Sequence, residues 1–131
     1  MKNDLPESFI IAHGDLARVL LQTTEKIVGK QSNVNTFSNK TDSLPVLAEK
    51  IKQRLDKINT VNVIFFIDLM GGSCWTLANL IRKQYKDIVI ITGVNVPMLI
   101  SYFTNLQQMS FTDLVNKVIK DGNRGIYSLI K

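Results

Sequence analysis

One histidine, His13, occurs in this 131-residue chain, and it offers the widest range of chemistry of any residue present. Imidazole changes charge near neutral pH, and its nitrogens serve as nucleophiles, general bases or metal ligands. His13 follows the apolar run at residues 9–12 and precedes Gly14 and Asp15. A strand therefore meets a helix at this histidine. A histidine in such a turn often has no function of its own, so evidence for a function must come from the residues expected near it.

Asp68 is the first such neighbour, because it ends a second strand-like run at residues 61–67. A carboxylate that accepts a hydrogen bond from one imidazole nitrogen fixes the tautomer and leaves the lone pair of the other nitrogen free. This contact is expected if the first and third strands are neighbours, as in flavodoxin-like sheets. Taken alone, Asp68 is equally typical of a turn-capping residue.

The turn Gly71-Gly72-Ser73 follows, at the start of a predicted helix. Glycines allow close backbone approach, and a helix start offers free N–H groups and partial positive charge to an anion. Ser73 could cap this helix and also present its hydroxyl to a phosphate oxygen. The chain has no Gly-Lys-Ser or Gly-Lys-Thr sequence, so a P-loop nucleotide site is not indicated.

Together these residues predict a transient phosphohistidine on His13. A metal site is not predicted, since one histidine and one cysteine are fewer ligands than stable zinc sites use. A hydrolase remains an alternative, with Ser73 or Cys74 as nucleophile, His13 as base and Asp68 as orienting acid. Against it, Ser73 lacks the Gly-x-Ser-x-Gly context, and Cys74 is typical of a small buried residue.

The elements that must position these residues alternate between strand and helix. Apolar runs predict strands at 7–12, 33–37, 61–67 and 87–92, and the last two are apolar enough for burial on both faces. Helical periodicity and capping residues predict helices over 15–28, from Asp42 or Ser43 to 58, and over 73–85, 97–106 and 111–120. In the first helix the core-facing residues are expected to be Leu16, Val19, Leu20, Thr23 and Ile27.

This alternation predicts one α/β domain over residues 1–131, a three-layer doubly wound fold with a mostly parallel sheet of order 2-1-3-4 flanked by helices. Ligands of such sheets bind at the carboxyl ends of the strands, at the switch point of the strand order. His13, Asp68 and the segment 93–97 all lie at such ends. The C-terminal residues 125–130 show strand-like alternation.

Composition excludes several classes of protein. Hydrophobic residues make up 45% and charged residues 21% of the chain, as in ordinary globular domains. No apolar run approaches the roughly 20 residues that cross a bilayer, and no signal core follows the N-terminus. A single cysteine cannot form an internal disulfide, so a cytoplasmic location is expected. The net charge of +5 comes from scattered basic residues beside acids, which predicts no nucleic-acid partner.

The ordered motifs resemble the mannose-family enzyme IIA of the bacterial sugar phosphotransferase system. The matching segments are the strand that ends in His13-Gly14, the strand that ends in Asp68, the turn at 71–73 and the segment 93–99. Each motif is short, but together they span nearly the whole chain in the family's order. The segment 93–99 corresponds to a loop and helix at the border of the crevice, without a catalytic role.

The resemblance implies that His13 accepts a phosphoryl group from HPr and passes it to a IIB component during coupled sugar uptake and phosphorylation. Asp68 would pair with the histidine, and Gly71, Gly72 and Ser73 would lie beside the phosphoryl group. No cofactor or metal is implied, and membrane contact would be indirect, through IIC and IID components. The family is dimeric with exchanged antiparallel C-terminal strands. Residues 125–130 fit that role, or that of a local edge strand.

The chain departs from the family where Cys74-Trp75 replaces a common proline and Leu69-Met70 replaces a more polar or aromatic pair. These changes lie on the crevice rim and leave the partner's identity open. Trp75 is expected to be a packing residue. Two alternatives remain within related folds. One is the phosphotransfer subunit of dihydroxyacetone kinase, where serine usually follows the histidine instead of Gly14; the other is a non-catalytic regulatory domain.

Overall fold

The structure is a computed structural model in which residues 5–130 are described. Its centre is a four-stranded sheet in which every neighbouring pair of strands is parallel. The strand order β2-β1-β3-β4 confirms the predicted order 2-1-3-4. The strands are β1 (Glu7–Ala12), β2 (Val34–Ser38), β3 (Val63–Ile67) and β4 (Val89–Thr92).

Helices cover both faces of this sheet and so form the predicted three layers. Helices α2 and α3 pack with one buried cluster, and α1, α4 and α5 pack with the other. Within residues 5–130, no helix has both the length and the apolar composition needed to cross a membrane. The helices are α1 (Leu16–Val28), α2 (Leu44–Lys57), α3 (Ser73–Gln84), α4 (Val96–Asn105) and α5 (Phe111–Arg124).

Strand β3 is the centre of the hydrophobic core, as its sequence predicts. All five of its residues are buried. Phe65 and Ile67 point into the cluster below α2 and α3, whereas Ile64 and Phe66 point into the cluster below α1, α4 and α5. Successive strand residues face opposite sides of a sheet, so burial on both faces requires an unbroken apolar run.

Strand β4 differs from the expectation of full burial. Among the described residues 5–130 it pairs only with β3, and of its four residues only Ile91 is buried. An apolar run predicts that both faces are covered but does not distinguish a central strand from an edge strand. The free edge of β4 lies beyond the cover of the flanking helices and leaves its other residues half-buried.

The buried face of α1 also differs from the prediction. Leu16, Val19 and Ile27 are exposed, whereas Ala17 and Thr24 are buried against the sheet. The small Ala17 side chain permits close approach to the sheet, and the Thr24 hydroxyl donates to the Leu20 carbonyl at 2.8 Å. A threonine that satisfies its own polar group within the helix can be buried at low cost.

The helix starts follow the capping predictions. Ser43 and Ser110 accept hydrogen bonds from the Val46 and Asp113 backbone N–H groups, respectively, and Pro97 lies in the first turn of α4. Residues 126–130 have neither helix nor strand. The prediction of a local edge strand at 125–130 is therefore wrong, because this segment does not pair with the chain's own sheet.

Candidate functional site

The predicted site residues meet at the carboxyl end of the sheet. Ile11 is paired with Ile67, and Ala12 is paired with Ser38. The segments that follow β1, β2 and β3 therefore begin side by side at the same edge of the sheet. His13 follows β1, Asp68 follows β3, and α3 begins nearby. The strand order thus brings together side chains that lie far apart in the sequence.

Asp68 holds both the ring and the backbone of His13. Its Oδ2 atom lies 2.6 Å from His13 Nδ1 and accepts the His13 backbone N–H at 2.9 Å. Its Oδ1 atom accepts the Leu69 backbone N–H at 2.9 Å. The predicted pairing of His13 with Asp68 is present, and the carboxylate is itself fixed by backbone donors on both oxygens.

The electrostatics of Asp68 determine which nitrogen of His13 carries a proton. Only 7% of the Asp68 side chain is exposed. Its burial opposes ionisation, but hydrogen bonds from the His13 backbone and ring and from the Leu69 N–H hold the pKa of Asp68 below its ordinary value. An ionised carboxylate only accepts hydrogen bonds, so in the neutral imidazole Nδ1 carries the hydrogen and Nε2 presents a lone pair.

The Nε2 side of the ring is more accessible and faces Ser73. The His13 side chain is 43% exposed, and its Nε2 atom lies 3.2 Å from Ser73 Oγ. Asn39 donates from Nδ2 to the same Oγ at 3.1 Å. Four side chains therefore form one hydrogen-bonded line in the order Asn39, Ser73, His13 and Asp68.

The two glycines of the turn have different roles. Gly71 has a φ of +90°, a backbone conformation that side-chain-bearing residues rarely adopt. At Gly72, an added Cβ would lie 3.2 Å from Cε1 of His13. Gly71 thus permits the turn, and Gly72 leaves room for the imidazole ring.

Ser73 is the first residue of α3 and does not cap it, contrary to expectation. Gly72 occupies the N-cap position without a side-chain hydrogen bond. The N–H groups of the first turn therefore remain available, with the partial positive charge of a helix start. The Ser73 hydroxyl is directed instead at His13.

Cys74 is buried beneath this site and is not a nucleophile. Burial and the negative charge of Asp68 raise the pKa of its thiol to about 11. His13, Asp68 and Cys74 have possible metal-ligand atoms within 4.8 Å of one another. Asp68 already holds the ring and the backbone of His13, and a metal would have to displace the proton of a buried thiol, so the set is poorly suited to bind one.

Asn39 is the site residue that sequence reasoning missed. It lies in the polar turn after β2, and the one available signal was its position directly after a strand beside β1. The segment 93–97 contributes structure only, since the Val94 N–H donates to the Ile67 carbonyl and Asn95 caps α4. Trp75 is half-buried against the core, as expected of a packing residue.

Two exposed side chains beside this site are apolar. Leu69 and Met70 are 50% and 70% exposed. The Leu69 side chain also lies close to Gly72, which is in turn close to the imidazole ring. An exposed nucleophilic nitrogen with an apolar rim suits transfer of a group between two proteins better than enclosure of a small substrate.

Comparison with known proteins gives consistent matches. Residues 8–119 match the family described as "EIIA-man: PTS system fructose IIA component". The chain is 33% identical over 124 residues to the PTS system mannose-specific EIIAB component of Escherichia coli (strain K12), covering 89% of this chain and 37% of that protein. It is 26% identical over 111 residues to the PTS system fructose-specific EIIA component of Bacillus subtilis (strain 168), covering 83% and 76%, respectively.

Solved structures share the fold. The crystal structure of phosphotransferase system component EIIA from Streptococcus agalactiae superimposes with a TM-score of 0.86 at 24% sequence identity. The match covers 94% of this chain and 96% of that chain. The chain thus spans less than two fifths of the E. coli relative but nearly all of the streptococcal structure.

Proposed function

This chain belongs to the EIIA-man family of sugar phosphotransferase-system IIA components, and we propose that His13 is the residue that carries its phosphoryl group. In this proposal residues 1–131 act as one IIA domain. The geometry that supports it is the contact of 2.6 Å between His13 Nδ1 and Asp68 Oδ2. This contact leaves Nε2 as the nucleophilic nitrogen.

The transfer step follows from that tautomer. The Nε2 lone pair attacks phosphorus as the bond between phosphorus and the donor's nitrogen breaks, and that electron pair returns to the donor. The hydrogen on Nδ1 stays between His13 and Asp68, and the carboxylate stabilises the positive charge that develops on the ring. Transfer to the next carrier reverses these steps, with an acceptor nucleophile attacking phosphorus.

The turn at 71–73 is proposed to hold the phosphoryl oxygens. Ser73 supplies a hydroxyl hydrogen, and the uncapped start of α3 supplies backbone N–H groups with partial positive charge. Gly72 keeps the space beside the ring open. Donors fixed before the phosphoryl group arrives require little reorganisation during transfer, which favours fast and reversible exchange.

The proposed partners are phospho-HPr as donor and a IIB protein or domain as acceptor. The E. coli relative is described as an EIIAB component, and the Bacillus subtilis relative as a fructose-specific EIIA component. Leu69 and Met70 offer an apolar rim on which either partner could dock. We place the protein in the cytoplasm, with membrane contact only through the IIC and IID components.

A homodimer with exchanged C-terminal strands is part of this proposal. Four apolar residues after α5 are exposed by 81% or more, and β4 has a free edge. Residues 126–130 of a second copy could add antiparallel to β4 and cover that edge. Deletion of residues 126–131 is then expected to give monomers in sedimentation experiments. The exposed apolar residues are Ile126, Tyr127, Leu129 and Ile130.

Phosphorylation from labelled phosphoenolpyruvate tests the function. With enzyme I and HPr present, the chain should acquire label in an acid-labile, base-stable bond, and His13→Ala should acquire none. Arg54→Ala is a matched control, because Arg54 is 42% exposed and lies at the opposite end of β1. Equal labelling of His13→Ala and the native chain would refute the assignment.

A serine hydrolase is the second candidate, since Ser73, His13 and Asp68 are spaced like a catalytic triad. Hydrolysis of a small ester that Ser73→Ala abolishes, without any label on His13, would favour it. The absence of a Gly-x-Ser-x-Gly context around Ser73 argues against this function. The family match also favours the phosphocarrier over a dihydroxyacetone kinase subunit or a regulatory domain.

A further inference from the structure

We propose that Asn39 is a positioning residue that directs the Ser73 hydroxyl toward the reacting atoms of His13. The hydroxyl would donate to Nε2 in the free protein and to a phosphoryl oxygen once His13 is modified. This inference rests on the proposed phosphocarrier function. The observation behind it is the hydrogen bond of 3.1 Å from Asn39 Nδ2 to Ser73 Oγ.

The direction of every hydrogen bond in the line is fixed from its two ends. Asn39 Nδ2 carries hydrogens and no acceptor, so Ser73 Oγ accepts from it. At the other end the Asp68 carboxylate keeps the imidazole hydrogen on Nδ1, so Nε2 only accepts. The Ser73 hydrogen therefore has two acceptors within reach, Nε2 at 3.2 Å and the Cys74 sulfur, and the imidazole nitrogen is the stronger acceptor of the two.

Phosphorylation would change only the last bond of this line. The new bond between nitrogen and phosphorus uses the Nε2 lone pair, so the Ser73 hydroxyl loses its acceptor. A phosphoryl oxygen beside Nε2 becomes the nearest replacement, and a hydrogen bond to a charged oxygen is stronger than one to a neutral nitrogen. Because Asn39 still holds the oxygen of Ser73, the hydroxyl needs only to rotate. Asn39 thus keeps the Ser73 hydroxyl within reach of the phosphoryl oxygens without contacting them itself.

The backbone around Asn39 is fixed well enough for this role. Asn39 directly follows β2, whose last residue, Ser38, pairs with Ala12 just before His13. The Ser38 hydroxyl donates to the Gly14 carbonyl and accepts the Lys40 backbone N–H at 2.9 Å. The turn is thereby attached to the His13 loop on one side and closed on itself on the other. The Asn39 side chain is half-buried and bonds to a residue 34 positions away.

Asn39→Asp is the sharpest variant, because it keeps the shape but replaces the amide donor with a carboxylate acceptor. The Ser73 hydroxyl would turn toward the new carboxylate and away from His13, and a negative charge would lie near the phosphoryl oxygens. We expect phosphorylation of His13 by phospho-HPr to slow by at least about tenfold, since loss of one fixed donor to a developing oxyanion commonly costs more than that. Asn39→Ala should have a smaller effect in the same direction.

Asn95→Asp is the matched control. Asn95 also follows a strand, but its Oδ1 atom caps α4 by accepting the Met98 N–H at 2.8 Å, which a carboxylate does equally well. The variant gives up two long hydrogen bonds of 3.4 Å from Nδ2 to the Gly93 and Gly122 carbonyls, so we expect some loss of stability but no change at His13. This variant should phosphorylate at the native rate. In a Ser73→Ala background, Asn39→Ala should cause no further slowing, because the hydroxyl that it positions is absent.

A second measurement does not depend on phosphotransfer. In 15N-labelled, unphosphorylated protein, Asn39→Asp and Ser73→Ala should both shift the His13 Nε2 resonance, whereas Asn95→Asp should leave it unchanged. Native phosphorylation rates and an unmoved Nε2 resonance in Asn39→Asp would overturn the inference, leaving Asn39 as a turn residue. Absence of label on His13 in the native chain would instead contradict the proposed function, while the Nε2 resonance would still test Asn39.

Discussion

At each end of strand β1 a carboxylate pairs with a basic side chain, and the two pairs have nearly the same exposure. At its amino end, Glu7 is 8% exposed and its partner Arg54 is 42% exposed. At its carboxyl end, Asp68 is 7% exposed and its partner His13 is 43% exposed. In both, a nearly buried carboxylate holds a half-exposed basic group, yet only the carboxyl end has the features of a reactive site.

The amino-end pair is closed by a third side chain. Glu7 Oε2 accepts from Asn35 Nδ2 at 2.8 Å and from Arg54 Nη2 at 3.2 Å. Arg54 Nε in turn donates to Asn35 Oδ1 at 2.8 Å. Guanidinium has only hydrogen-bond donors and keeps its charge at any physiological pH, so the basic member of this pair offers no lone pair for bond formation.

The carboxyl-end pair differs because imidazole has two chemically distinct nitrogens. Asp68 uses one, and the other keeps a lone pair that is covered only by a serine hydroxyl. Similar exposure and similar pairing thus give a structural cluster at one end of β1 and, in our proposal, a nucleophile at the other. The partner's chemistry, and not its burial, makes the difference.

Substitution of Asp68 should give the largest difference in phosphorylation rate between variants at the two ends of β1. In Asp68→Ala, the rate of His13 phosphorylation by phospho-HPr is expected to fall by about a hundredfold or more, because the tautomer and the charge on the ring lose their support. Rapid-quench labelling measures this rate. Glu7→Gln, the matched change at the amino end, should leave it unaltered. If Glu7→Gln slowed phosphorylation as much as Asp68→Ala does, the rate would depend on the stability of the fold and not on the contact between Asp68 and His13.

A methyl group at Gly72 tests how closely the ring is fitted. In Gly72→Ala the new Cβ would lie 3.2 Å from His13 Cε1, so the ring or the turn must shift, and we expect transfer to slow about tenfold. Gly93→Ala is a control with φ at +74° and open space around it. That change should lower stability but not the transfer rate. Phosphoryl transfer by Gly72→Ala at the native rate would show that the turn accommodates a methyl group beside the ring.

The free energy of unfolding should depend more on the pair at the amino end of β1 than on the pair at its carboxyl end. Arg54→Ala leaves the nearly buried Glu7 carboxylate without its cation, and we expect the free energy of unfolding to fall by about 1–3 kcal/mol. His13→Ala should change it by less than about 1 kcal/mol, because the Asp68 carboxylate keeps backbone N–H donors from residue 13 and from Leu69. Urea denaturation at pH 7 measures both. A larger loss for His13→Ala than for Arg54→Ala would contradict the comparison.

The pH dependence of stability should show a small contribution from Asp68. Hydrogen bonds hold its pKa below the ordinary value of 3.8 in the folded chain, so the folded state favours the ionised form. That stabilisation is present above pH 3.8 and is lost as the pH falls through the lower folded pKa. Unfolding in urea between pH 3 and about pH 7 should therefore show a weaker acid dependence in Asp68→Asn. Identical slopes in both proteins would rule out this contribution.

The sequence predicted the parts of the molecule that depend on local pattern. The unbroken apolar run of β3 requires burial on both faces, and the strand order that follows brings His13 and Asp68 together. The glycines at 71 and 72 likewise indicate a tight turn. These features have strong local signals because a single physical requirement, burial or backbone geometry, restricts the residue types.

Other features depend on tertiary placement and were not predicted. Asn39 is one polar residue in a polar turn, and only the pairing of Ala12 with Ser38 places it beside Ser73. The apolar stripe of α1 predicted burial of Val19, but the small Ala17 lets another face approach the sheet. The apolar run of β4 gave no sign that one edge of that strand is free. Each of these outcomes was decided by a neighbour that is distant in sequence.

The most direct test of the central claim is to observe which nitrogen of His13 carries phosphorus. The chain, labelled with 15N in its one histidine, would be phosphorylated through HPr and studied by 31P and 15N NMR at alkaline pH. We predict a one-bond coupling between phosphorus and Nε2, with Nδ1 still protonated and bonded to Asp68. Coupling to Nδ1, or phosphorus on any other residue, would contradict the account.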